Sequence, residues 1–231
     1  MTASPTLILG GFLITPEAYE PMATAIAVAS NQPVEVVPVS RGDWLLTNAA
    51  SGWRRVLDRC QSQMDRLAQH SPSGQVNLVG HSSGGVMLRV LLGDEPFAGR
   101  VYGERHRVGT LLTLGSPHKG LRATALRQRV HALYPGAWFA DQLRYVAVAG
   151  CVDPQRLKRR ARWLVGPSYQ SICGDSTSRG DGLVPVGSAL LDGAEPCILE
   201  DVGHGGWFAN RWYGSEDVLS LWIGLLNRGA T

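Results

Sequence analysis

Acyl-transfer chemistry needs three side chains together: a serine hydroxyl, an imidazole to take its proton and a carboxylate to orient the imidazole. Ser82 sits in a setting suited to the first role, at the centre of Gly80-His81-Ser82-Ser83-Gly84. Val76-Asn77-Leu78-Val79 before it reads as a buried strand, and Gly85 to Leu92 after it reads as a helix. A strand that turns into a helix this tightly lifts the serine hydroxyl above the sheet edge. The turn tolerates only small neighbours, which the glycines two residues to either side provide.

The carboxylate candidate is Asp181, in Gly180-Asp181-Gly182-Leu183-Val184-Pro185, where flanking glycines permit a sharp bend. Asp153, Asp175 and Asp201 compete for the role, and Asp175 lies in the same loop. The imidazole candidate is His204, in Val202-Gly203-His204-Gly205-Gly206, just beyond the last strand-like run. His81, in the variable position of the Ser82 turn, is expected to point away from His204 and make packing or rim contacts. His118 reads as structural, and His70, His106 and His131 have no motif around them.

The oxyanion formed on attack needs two fixed N–H donors. The Ser83 amide, just after the nucleophile, is one expectation. The other is the Phe12 amide after Gly10-Gly11, with Gly11 in reserve. Gly11, His81, Trp138 and Phe139 are candidates to line a substrate pocket.

These groups need a scaffold. Thr6 to Leu9, Val34 to Val39, Val76 to Val79, Val108 to Leu114, Tyr145 to Ala149 and Cys197 to Leu199 read as strands. Pro38 argues that the second is an edge strand or ends there. Helices are expected from Thr15-Pro16 to about Ser30 and along the apolar stripe Trp53, Val56, Leu57, Cys60, Met64 and Leu67. A last helix starts near Ser215 and stops at Gly229. Strands alternating with helices predict an α/β fold, a mostly parallel central sheet with helices on both faces. Residues 1–231 read as a single domain. Segments 118–142 and 151–167 break the alternation, so about 118–167 is read as a small cap or lid insertion.

Composition narrows the function classes. A net charge of +3 is too small to argue for nucleic acid. No stretch approaches the length of a membrane span. The first residues carry no secretory pattern, so a cytoplasmic location is expected. The four cysteines, Cys60, Cys151, Cys173 and Cys197, read as free thiols, with a Cys151–Cys173 bridge as the alternative. The basic cluster Lys158 to Arg162 reads as a solvated helix face, or as a peripheral contact with anionic lipid.

The chain resembles the lipase/esterase branch of the α/β-hydrolases. The resemblance rests on Gly80-His81-Ser82-Ser83-Gly84-Gly85, Gly115-Ser116-Pro117-His118-Lys119-Gly120, Gly180-Asp181-Gly182-Leu183-Val184-Pro185 and the Gly203-His204 loop, in the family's order of serine, acid, histidine. It extends from Thr6 to Leu226. The Trp212-Tyr213-Gly214-Ser215 run is similar to uncharacterised hydrolases of cyanobacteria and plant plastids that are related to GPI-inositol deacylases. Two features depart from the pattern: Gly10-Gly11 stands where lipases carry His-Gly, and the candidate lid is short. The resemblance implies an acyl-enzyme route on a small-molecule or lipid ester, with no metal or organic cofactor. An acyltransferase using the same triad is the alternative, and a non-catalytic binding protein on this fold is a second.

Overall fold

Apolar residues that alternate between both faces of a strand need cover on both sides. The protein satisfies this in a computed structural model that describes residues 3–227. Six strands form one sheet: β1 (Thr6–Leu9), β2 (Val34–Val36), β3 (Val76–His81), β4 (Val108–Leu114), β5 (Arg144–Cys151) and β6 (Glu195–Glu200). Their order is β2-β1-β3-β4-β5-β6, and every neighbouring pair is parallel. Leu7, Leu9, Leu78 and Leu111 face α3 (Ala50–Ala68) and α4 (Ser83–Leu92). Ile8, Val79, Leu112 and Val146 face α1 (Glu20–Ser30) and α8 (Glu216–Trp222).

The strand assignments hold, with small shifts at the ends. β2 stops at Val36, two residues before Pro38, and is the sheet edge. The last helix gives way to a 3-10 turn at Ile223–Leu225, and Gly229 lies outside the described residues. Among the described residues all four cysteines are free, so the Cys151–Cys173 bridge does not form.

A short helix without a sequence expectation, α2 (Arg41–Leu46), starts at a reciprocal cap. The Ser40 hydroxyl accepts from the Asp43 amide, and the Asp43 carboxylate accepts from the Ser40 amide. The irregular stretches contain α5 (Ala125–Leu133) and α6 (Arg159–Cys173). α6 runs through Pro167 rather than ending there. A four-residue helix, α7 (Val186–Ala189), follows the Asp181 loop.

The chain leaves β1 in one direction to reach β2 and in the other to reach β3. Ligands of open parallel sheets bind at such a switch point, outside the carboxyl ends of the strands. The Phe12 loop follows β1 and Ser82 follows β3, so both stand there.

Candidate active site

Ser82 is the hinge between β3 and α4. Its φ of 52° lies in the left-handed region, uncommon for a residue with a side chain and typical of strain held at a functional turn. The surroundings enforce it. The Ser82 amide donates to Leu114 O at 2.9 Å, tying the turn to β4. Gly84 meets the end of β1 so closely that a Cβ there would lie 2.3 Å from Leu9 O. Only glycine permits that approach.

The Ser82 hydroxyl lies 2.9 Å from His204 Nε2, and His204 Nδ1 lies 2.8 Å from Asp181 Oδ2. A carboxylate only accepts, so Nδ1 carries the proton, leaving Nε2 free to accept from the serine. Asp181 is fully buried. Its Oδ1 accepts from the Leu183 and Val184 amides at 3.0 and 2.7 Å, while Oδ2 also accepts from Tyr213 OH at 2.8 Å. Four donors therefore fix the position and orientation of the carboxylate. Burial, and then the charge of Asp181, hold the Tyr213 phenol well above its usual range, so it remains a donor. The Tyr213 oxygen in turn accepts from the Gly150 amide at 2.7 Å, which anchors it to β5.

The acid and base loops also hold each other. The His204 amide donates to Asp181 O, and the Val152 amide donates to Gly180 O. α6 packs over both: Tyr169 OH accepts from the Gly182 amide at 2.7 Å, and the Lys158 amide donates to Phe208 O. Phe208 presents its ring edge-on to His204, with centroids 5.7 Å apart. The competing carboxylates are elsewhere. Asp175 caps its own turn, Asp153 accepts from the Gln155 amide, and Asp201 pairs with Arg156.

Phe12 and Leu13 form a turn closed by Ile14 N–H donating to Gly11 O, with Leu13 at a φ of 62°. The Ser83 amide opens α4, where first-turn N–H groups have no partner within the helix. Gly11 lies against Ser82, but its amide donates to Tyr19 OH at 2.8 Å. It is therefore not available as the reserve oxyanion donor.

His81 departs most from expectation. It is fully buried, and its ring lies beside that of His204, centroids 4.8 Å apart, instead of pointing away. Its Nε2 donates to His204 O at 2.9 Å, and its Nδ1 accepts from Tyr19 OH at 2.7 Å. A backbone carbonyl only accepts, so these roles are fixed. The result is a buried chain from the Gly11 amide through Tyr19 and His81 to the base loop. Burial, and then His204, push the His81 imidazole well below its usual range, so it stays neutral. Tyr19 and Tyr213 are the residues that motif reading missed. Tyr213 stood out only as part of the Trp212–Ser215 run, and the side chains that the two hydroxyls reach, His81 and Asp181, lie 62 and 32 residues away along the chain.

Trp138 and Phe139 are not brought to Ser82. Phe139 belongs to the core on the α3/α4 face, where it packs on Tyr134 with the Arg105 guanidinium over its ring. Trp138 is solvent-exposed beside it. His118 is buried and makes a contact of 3.1 Å with Thr113 Oγ1, as befits a structural residue.

Comparisons with known proteins agree with this architecture. The product of the gene lin2722 from Listeria innocua superposes with a TM-score of 0.57 at 14% identity, covering 99% of this chain and 96% of that one. A protein described as a cell surface hydrolase from Lactobacillus plantarum WCFS1 gives a TM-score of 0.54 at 12% identity, over 100% and 94% of the two chains. At these identities the likeness shows the fold, which is that of the α/β-hydrolases. No curated protein matches. The sequence model of the palmitoyl protein thioesterase family matches residues 5–156, about two thirds of the chain. With its six-stranded parallel sheet and that match, the protein is a hydrolase that belongs to the palmitoyl protein thioesterase family.

Proposed function

We propose that the protein hydrolyses acyl esters, thioesters included, through an acyl-enzyme on Ser82. The observation that carries this reading is the continuous hydrogen-bonded chain from Ser82 through His204 to Asp181. His204 Nε2 takes the serine proton as Oγ attacks the acyl carbonyl. Asp181, held by four donors, steadies the imidazolium that forms. The Phe12 and Ser83 amides receive the oxyanion, with the positive end of α4 behind Ser83. Collapse expels the alcohol or thiol, protonated by His204. Water then attacks the acyl-enzyme with His204 as base, releasing the acid and restoring Ser82.

Apolar side chains exposed near the site favour an acyl chain as the group recognised. Phe12 is 42% exposed on the oxyanion loop, and Trp207 is 44% exposed three residues beyond His204. α6 serves as the cap over the acid and base loops. Membership of the palmitoyl protein thioesterase family makes a palmitoyl thioester a natural member of the substrate set.

The test is hydrolysis of p-nitrophenyl esters from acetyl to palmitoyl, and of an S-palmitoyl cysteine peptide, by wild type and Ser82→Ala. The expected result is turnover that rises with acyl length and falls by at least about 10³-fold in the variant. Added alcohol acceptors separate hydrolysis from acyl transfer by the product formed. Turnover that persists in Ser82→Ala would overturn the assignment.

A further inference from the structure

The outer face of α6 carries a feature that the proposed reaction does not use. Ala161, Val165 and Tyr169 turn inward. The 3.6-residue repeat then sets Arg159, Arg160 and Trp163 outward, with Trp163 one turn from Arg159 and 69% exposed. α6 is bound to the loop that carries the base. Lys158 Nζ and Arg160 Nε donate to the carbonyls of Gly206 and Trp207, and the Arg160 guanidinium lies 5.6 Å over the Trp207 ring. The two exposed indoles and the cations between them therefore form one continuous surface. Trp207 packs on Phe208, which packs on His204, so this surface borders the site.

Its charge is uncompensated. Arg156 and Arg179 nearby are each paired with a carboxylate. Among the described residues, Lys158, Arg160 and Arg162 donate only to backbone carbonyls, and Arg159 has no ion pair. An exposed indole in a field of unpaired cations is costly in water and favourable at a lipid headgroup layer, where indoles and cationic side chains concentrate.

We propose that the outer face of α6 and the Trp207 loop dock on anionic phospholipid bilayers, bringing Ser82 close to lipid-embedded acyl groups. The second clause rests on the hydrolase reading; the docking does not. Anionic headgroups complement Lys158, Arg159 and Arg160, and the two indoles enter the interface. Each cation near such a surface contributes about five-fold to partitioning.

The experiment is co-sedimentation of the Ser82→Ala protein with phosphatidylcholine vesicles, with and without about one third phosphatidylglycerol, at a salt level where the Debye length is about 10 Å. This form leaves the lipid intact, so binding is read separately from turnover. The expected result is binding to the anionic vesicles only, with a blue-shifted tryptophan emission. Arg159→Glu should lower the partition at least about five-fold, and Trp163→Ser should reduce the blue shift, leaving the contribution of Trp207. In otherwise wild-type protein, both variants should leave turnover of a soluble short-chain ester unchanged, which also shows that they fold. No binding, equal binding to uncharged vesicles, or binding indifferent to both substitutions would overturn the proposal. Equally tight binding to soluble polyglutamate or heparin without the blue shift would assign the face to a polyanion instead. Loss of ester turnover in Ser82→Ala bears on the active-site reading alone.

Discussion

The tightest constraints on this site act on single atoms. Asp181 Oδ2 is shared by His204 and Tyr213, and the phenol ties that oxygen to β5 through the Gly150 amide. Tyr213→Phe removes one donor from a buried carboxylate and leaves a buried amide unpartnered. Such losses cost about 1–3 kcal/mol. In steady-state kinetics we therefore expect kcat to fall about ten-fold or more with KM little changed. Because Tyr213 acts through Asp181, an effect confined to KM would contradict this role. The grouping of Ser82, Asp181 and His204 was legible in the sequence, because each lies in a short local pattern of small residues. Tyr213 and Tyr19 were not, since a phenol that reaches a partner tens of residues away leaves no local trace. His81 was misread for the same reason. The variable position of the Ser82 turn faces inward, and only the packed structure reveals that Tyr19 and the His204 carbonyl hold it.

At the scale of elements, the site depends on how closely the strand ends approach one another. Gly115 follows the last residue of β4, with a φ of 53°, and a Cβ there would lie 2.5 Å from Asp181 Oδ2 and 2.6 Å from Tyr213 OH. Gly115→Ala should therefore displace the acid itself. The expected outcome is a loss of at least about 10²-fold in kcat/KM, about 2.7 kcal/mol, read on a soluble ester with the fold checked by circular dichroism. Near-wild-type activity would show that the Asp181 loop shifts without consequence. The four inner strands β1, β3, β4 and β5 were readable because parallel strands buried on both faces are largely apolar runs. α2 was overlooked although Ser40 and Asp43 stand at capping spacing, because six residues offer too little periodicity to register. The extent of α6 was hidden by Pro167, which normally ends a helix. Here Ala161, Val165 and Tyr169 on its inner face hold the helix together through the break.

At the scale of the whole molecule, stability and chemistry share buried imidazoles. His81 and His118 are both held neutral, primarily by burial, with their titration pushed well below the usual imidazole range. In the unfolded chain each would titrate near its ordinary value, about 6.5. The unfolded state thus binds more protons as the pH drops below that point. Stability is full above it and is lost as pH falls, by up to about 1.4 kcal/mol per pH unit per histidine. Urea unfolding between pH 7 and 5 should show this decline, and His118→Gln should shallow it by about one proton. A stability that is flat, or that rises on acidification, would contradict the buried neutral state. The central claim, however, is that Ser82 is a nucleophile activated by His204. It is tested most directly by reacting the native protein with a fluorophosphonate and locating the adduct by mass spectrometry. We expect one adduct per chain, on Ser82, absent in Ser82→Ala and strongly slowed in His204→Gln. An adduct on another residue, or labelling of Ser82 unaffected by loss of His204, would contradict it.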